Sequence, residues 1–333
     1  MPKHPDYLLS RLRFRHLQLV TEIDRTGSLN KASTALSLTQ PALSKALKDL
    51  EDLLGFALFT RSARGLEKTE QGSVIIEGAK LLIQELRHVK QEADAAGPYG
   101  RISAILRLGA PAYLAISLLP KIISQLMKNK PSLMVSLYEE NVPSLFTALL
   151  SGELDALITV YNPEILEISK DNELCFEKLA EESYAVIAPA EHRLARAKSI
   201  AWESLISEPW VMTRKPSLAR VFLEQSFLRA GAIPPLPVCE TNSPVTSVCL
   251  VAAGVGLSCV PGSTVLEVER TGSVKRLKVQ PPPPAAALGL VYRVPPASHP
   301  RIRLLREAIQ NVHQDIDRLI GVKAALEKRV VSQ

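Results

Sequence analysis

Four side chains in the stretch TQPALSKALKDL at 39–50 are spaced to act on something outside the fold. Gln40, Ser44, Lys45 and Lys48 turn outward on a helical repeat whose inner side carries Leu43, Leu47 and Leu50. The amide of Gln40 suits two edge atoms of an adenine, and Lys45 suits a guanine edge or a phosphate. Pro41 and Ala42 keep the approach open and offer apolar contact to a thymine methyl. The free N–H groups of a first helical turn favour an anion as well. This is chemistry of recognition, and the motifs of bond making are missing. The sequence contains no G-x-S-x-G elbow, phosphate-binding loop or H-E-x-x-H pair, and its six His lie far apart. GVGLSC at 254–259 lacks the third Gly of a dinucleotide loop and leads into a strand. Neither a cofactor nor a metal site is expected.

A reading surface must be held by other elements. Phe14, Leu17, Val20 and Ile23 share one side of a first helix that ends near RTGS at 25–28. Ser28 is placed to cap a second helix, LNKASTALS, with Leu29, Ala32 and Leu36 inward and Lys31 outward. Thr39 then caps a third, with Pro41 in its first turn, where a missing N–H costs nothing, and Gly55 at its end. Two short helices around a tight turn are a helix-turn-helix. FALFTRSARGLEKT reads as strand, basic turn and strand, a wing whose Arg61 and Arg64 would grip the nucleic-acid backbone or enter a minor groove. From Glu70 onward Ile75, Ala79, Leu82, Leu86, Val89 and Ala93 recur at four-three intervals, a narrow heptad seam that calls for a partner helix. Charge agrees with this division. Residues 1–68 hold eleven basic and seven acidic side chains, so most of the net charge of +6 sits where a polyanion would bind.

Gly97, Pro98 and Gly100 break the long helix, and the pattern changes beyond Ile102. Short apolar runs (AILRLGA, LMVSLYE, LDALITV, SYAVIAPA, WVMT, VGLSCVP, ALGLVYRV) alternate with helical stretches at 114–128, 143–151, 217–230 and 243–253. The class is α/β, built from parallel sheet units. Ligands in such sheets sit where strand ends meet helix N-termini, here GAPAY at 109–113, ENVPS at 140–144 and ETNSP at 240–244. PPPP at 281–284 is a stiff connector before the last strand. The four Cys include no C-x-x-C pair, and Cys249 and Cys259 fall in apolar runs where a Cys acts as a small hydrophobe. No apolar run reaches the length of about 18 residues that a membrane span needs, and the N-terminus lacks a signal-peptide core. The cytosol is the expected compartment.

GSLNKASTALSLTQPALSKALKDLEDLLGFALFTR resembles the DNA-binding signature of the LysR-type transcriptional regulators, in Gly27-Ser28, Ala32, Leu36, Gln40-Pro41-Ala42, Ser44, Leu50-Glu51, Gly55, Leu58-Phe59 and Arg61. It departs at Ser33, Asp49 and Lys68, where the family favours Ala, a basic residue and Leu. SLLPKII, LLSGELDALI and LVAAGVGLSCVP look like landmarks of the family's effector domain, and RFRHLQ at 13–18 is similar to members that control sugar uptake and aromatic-acid breakdown. The resemblance implies a mainly α winged helix-turn-helix over 1–69, a linker and dimerisation helix over 70–97, and a two-lobed α/β effector domain like the periplasmic binding proteins over 98–333. Lobe I would span about 98–162 and 266–333 and lobe II about 163–265, with crossings near Val160–Pro163 and Thr264–Glu267. An anionic or aromatic effector would lie near Pro111, Ala112, Tyr113, Asn141, Val142, Thr213, Arg214, Asn242 and Ser243. The implied partners are double-stranded DNA carrying an interrupted inverted repeat, further copies of the chain as a dimer and tetramer, and RNA polymerase. Three rivals stay open: a binding protein with no DNA role, a redox sensor of the same family using Cys239, Cys249 or Cys259, and an α/β enzyme with an appended helical domain.

Overall fold

The computed structural model describes residues 8, 10–62, 65–95, 104–161, 174–293, 300–312 and 328–330. The chain divides into two compact units, one built on Met1–Arg101 and one on Ile102–Leu150 and Leu154–Gln333. Arg64 and the Gly-Pro-Gly break at 97–100 lie outside the described residues.

The first unit begins with helices α1 (Phe14–Thr26), α2 (Leu29–Ala35) and α3 (Gln40–Leu54). Gly27 and Gly55 end α1 and α3 at φ +62° and +85°, a left-handed turn that glycine adopts without a Cβ penalty. Leu17, Leu19, Val20, Ile23, Ala32, Leu43, Leu47 and Leu50 form the buried core. Phe14, expected inside, is exposed, and Leu19 takes an unforeseen place in the core. Strands β1 (Phe59–Ser62) and β2 (Gly65–Lys68) pair antiparallel from Phe59↔Lys68 to Ser62↔Gly65. The wing is tied down by Glu51, whose carboxylate accepts the N–H groups of Leu58 (2.7 Å) and Phe59 (3.3 Å). Helix α4 (Glu70–Ala95) follows. Its first turn runs so close to the Leu58 carbonyl that a Cβ on Gly72 would lie 2.0 Å from that oxygen. Lys68, the departure at the end of the wing, reaches Asp24 (3.5 Å) and Glu77 (3.6 Å), and Lys80 joins the same two carboxylates at 2.9 Å. A four-member charge cluster thus ties β2, α1 and α4 together at the position where the family favours Leu.

Among its described residues the second unit holds a six-stranded sheet, a three-stranded sheet and two short strand pairs. Strands β3 (Ala104–Ala110), β4 (Leu133–Glu139) and β5 (Ala156–Val160) are parallel, with α5 (Ala112–Ser117), α6 (Leu119–Asn129) and α7 (Val142–Leu150) between them. Strand β6 (Leu174–Glu182) joins this sheet from the far side of β14 (Ala286–Arg293), and both run antiparallel to their neighbours. The order is β15-β6-β14-β5-β3-β4, with β15 at Lys328–Val330 and helix α11 (Pro300–Asn311) packed beside α6. In the second lobe β7 (Tyr184–Pro189) lies between β11 (Ser258–Pro261) and β12 (Val274–Arg276). Short parallel pairs join β8 (Ile200–Ala201) to β13 (Val279–Gln280) and β9 (Val211–Thr213) to β10 (Cys239–Thr241). Helices α8 (Leu218–Arg229), α9 (Pro244–Ala252) and α10 (Leu266–Arg270) complete the lobe. Trp202 and Trp210 are fully buried around Phe227, their indole N–H groups donated to the carbonyls of Pro281 and Leu205.

This pairing moves both crossings. Residues 174–182 belong to the first sheet and 274–280 to the second lobe, so the chain passes between lobes at Ser183 and again through Pro281–Pro284. The expected points near Val160–Pro163 and Thr264–Glu267 are too early. β6 escaped notice because its carboxylates disguise a buried strand: Glu177 is taken up by Tyr292 and Arg306, and Glu182 by the Ser263 N–H. The six-stranded sheet is also mixed and the three-stranded one antiparallel, rather than parallel throughout.

Candidate nucleic-acid interface and ligand cleft

Helix α3 carries an exposed polar face opposite its buried Leu stripe. Thr39 Oγ1 accepts the Ala42 N–H at 3.4 Å, capping the first turn, while Leu43, Leu47 and Leu50 anchor the inner side. Gln40, Pro41, Ala42, Lys45 and Lys48 are exposed and Ser44 is half-buried. Lys31 on α2 and Arg61 on the wing are exposed as well. The side chains of Lys31, Gln40, Lys45, Lys48 and Arg61 make no hydrogen bond or ion pair among the described residues, so their donors are free for an external acceptor. Ser28 occupies the N-cap position of α2, but its hydroxyl accepts no helix N–H, contrary to expectation. Ser33, the departure from Ala, is buried with its hydroxyl donated to the Asn30 carbonyl at 2.8 Å. The buried hydroxyl is thereby satisfied within its own helix.

The heptad seam divides. Ala79 is buried in the core of the first unit and Ile75 packs against it, so these two positions serve their own domain. Ile76, one residue off the seam, is fully buried beside them. Leu82, Leu86 and Val89 each expose more than half of their surface, and Ala93 is exposed as well. Val74, outside the expected seam, is also bare.

In the second unit a cavity of about 540 Å³ opens where the two lobes meet. Pro111, Ala112, Tyr113, Asn141, Val142, Arg214, Asn242 and Ser243 line it. Thr213 does not; it is buried, and its hydroxyl donates to Ser217 Oγ at 2.9 Å. Asn141 Oδ1 accepts the Ser144 N–H (3.0 Å) and Ser243 Oγ that of Thr246 (3.3 Å), so α7 and α9 are already capped by their own side chains. α8 is different: no side chain caps it, and its first N–H groups stand beside the exposed Arg214, whose guanidinium is unpaired among the described residues. Among α7, α8 and α9 an anion is favoured at this start; the six-residue α5, which also begins at the cavity, has no side-chain cap at Pro111 either. Sequence reading missed Glu139, Lys215, Ser217 and Tyr184, and flagged Glu140 only as part of ENVPS; all of them also line the cavity. Of the missed residues, only Glu139 could have been pointed to, by its position at the carboxyl end of a strand.

Beneath the cleft lies a buried polar group. Glu182 is fully buried at the crossing; its Oε1 accepts the Ser263 N–H at 3.0 Å and its Oε2 has no hydrogen-bond partner. Burial pushes its carboxyl up to about 7, against the pull of Ser263, Gly262 and the nearby Arg276. Tyr113, whose ring lines the cleft, has a buried hydroxyl without a partner, and burial raises its pKa well above the ordinary phenol value.

Two family models match this chain: "Bacterial regulatory helix-turn-helix protein, lysR family" over residues 14–73 and "LysR substrate binding domain" over 100–314. The chain belongs to the LysR family of transcriptional regulators. Curated relatives include the HTH-type transcriptional regulator GbpR of Azospirillum brasilense, 29% identical over 83% of this chain and 81% of the relative. Another is the regulator PcaQ of Agrobacterium fabrum, 27% identical over 90% and 94%. A full-length OxyR variant from Pseudomonas aeruginosa has the same fold, with a TM-score of 0.58 at 24% identity, covering 90% of this chain and 95% of that one. This LysR-type regulator thus joins a DNA-binding domain to an effector-binding domain. Its relatives are regulators of transcription, and no helix among the described residues is long and apolar enough to cross a membrane.

The thiols of the regulator fall into two groups. Cys175 and Cys259 are buried, and burial pushes the Cys259 thiol up to about 12. Cys239 is half-buried, and Cys249, expected to pack as a hydrophobe, is exposed on the outer face of α9.

Proposed function

We propose that the chain is a cytoplasmic regulator, not an enzyme, divided into a DNA-binding domain over 1–69, a linker helix over 70–97 and an effector domain over 98–333. Gln40, Ser44 and Lys45 read base edges of an interrupted inverted repeat, with Pro41 and Ala42 against thymine methyls. Lys31, Lys48, Arg61 and Arg64 hold the backbone, and Ser28 lies alongside. Two copies join through Leu82, Leu86, Val89 and Ala93, and pairs of dimers make the tetramer that bends promoter DNA and meets RNA polymerase. An anionic or aromatic effector in the cleft shifts the assembly by binding one lobe arrangement better than the other. It is held by Arg214 and the uncapped start of α8, between the walls at Ala112, Tyr113, Asn141, Val142 and Asn242.

The observation that carries this reading is the free polar face of α3 above a fully buried Leu stripe. A redox mechanism has less support at Cys259, because the nucleophilic species is the thiolate and burial suppresses it there. Selection of bound sequences from random duplex DNA by the full chain tests the proposal. An enriched inverted repeat is expected; a pool that stays random would count against sequence-specific binding.

A further inference from the structure

The cleft is charged oppositely on its two walls. Glu139 ends β4 and Glu140 follows it on lobe I; Arg214 and Lys215 stand between β9 and α8 on lobe II, and all four line the cavity. Neither glutamate makes an ion pair or hydrogen bond through its carboxylate among the described residues. On the other wall Lys215 is engaged with Glu224 at 2.8 Å, which leaves Arg214 and the open N-terminus of α8 as the anion-binding group. Between the walls the lining is apolar or aromatic: Val160, Tyr184, Leu218 and Pro261, with the Tyr113 ring beside them.

A ligand that draws two lobes together must satisfy both walls at once. A simple carboxylate suits Arg214 but carries its charge toward two unpaired glutamates, and a simple amine has the converse fault. We infer that the effector is an amino carboxylate with an apolar body, its carboxylate at Arg214 and the α8 N-terminus and its ammonium at Glu139 and Glu140. This rests on the reading of the cleft as the effector site and narrows it to a class.

The test uses the full chain and two matched sets of probes: phenylalanine, 3-phenylpropionate and 2-phenylethylamine, and leucine, 4-methylpentanoate and 3-methylbutylamine. Binding is read by calorimetry and by the shift in melting temperature. In at least one set the amino acid is expected to bind about tenfold tighter than either singly charged analogue, the scale of one added charge-assisted hydrogen bond. Glu139→Gln with Glu140→Gln removes that preference and leaves carboxylate binding within about twofold, whereas Arg214→Ala weakens amino acid and carboxylate alike. Carboxylates that bind as tightly as amino acids, in an Arg214-dependent manner, would overturn the inference and leave the cleft reading intact. If none of the six binds, or binding ignores Arg214, both fail.

Discussion

Glu182 is the residue whose environment most clearly makes a measurable statement. Its carboxyl titrates near 7 in the fold and near its ordinary 4.5 when unfolded, so the folded state binds the proton more tightly. Its contribution is therefore fully favourable below about 4.5, declines as pH rises through 7, and is constant above. The cost of ionising it in place is on the order of 3 kcal/mol. Glu182→Gln keeps an oxygen for the Ser263 N–H and removes the charge. The melting temperature of this variant is predicted to exceed that of the wild type by a margin that opens between pH 4.5 and 7; parallel curves would show that Glu182 does not titrate there. No sequence signal marks this group. Its burial depends on Ser263, 81 positions away, and on Arg276. The reading face, by contrast, was legible, because Gln40, Lys45 and Lys48 owe their exposure to a local repeat around Leu43, Leu47 and Leu50.

At the scale of elements, α4 shows what periodicity can and cannot resolve. A four-three stripe marks an apolar face without saying whose core it enters. The start of the helix packs on its own domain through Ile76 and Ala79, and the later stripe, Leu82, Leu86 and Val89, stays bare. Ile76→Ala is thus predicted to destabilise the DNA-binding unit by about 2–5 kcal/mol without changing the oligomeric state. Leu86→Glu is predicted to do the reverse, giving a smaller particle by sedimentation with the unit's fold intact. Equal effects of the two on assembly would contradict the division. Gly72 is a second element-level constraint. Gly72→Ala drives a methyl into the Leu58 carbonyl, and a lowered melting temperature with a loosened wing, seen as faster hydrogen exchange at β1, is the expected outcome. β6 marks the opposite limit. Its buried glutamates break the apolar pattern that identifies a strand, so the crossings between lobes could be found only from the pairing of β6 with β14.

Across the whole molecule, charge and architecture divide the labour. The excess of basic residues gathers in residues 1–68, where exposed Lys31, Lys45, Lys48 and Arg61 have no internal partners among the described residues, while the second unit pairs many of its charges internally. Arg107 and Arg301 share Asp155, Arg306 holds Glu177, and Arg220 bridges Glu224 and Glu240. Such pairs tie elements of the second unit together; the unpaired cations of residues 1–68 leave their donors free for an external acceptor. Arg61→Ala is predicted to weaken binding to all duplexes alike and to flatten the dependence of affinity on salt by about one released counterion; a loss confined to one sequence would argue for base contact instead. The decisive measurement compares the affinity of wild type and Lys45→Ala for a selected site and for scrambled duplex at one fixed salt concentration. Wild type is predicted to prefer its site by about a thousandfold or more, and Lys45→Ala to lose about 1–3 kcal/mol on that site with a smaller loss on the scrambled duplex. Equal losses on both duplexes, or none, would contradict the assignment of α3 as the helix that reads DNA.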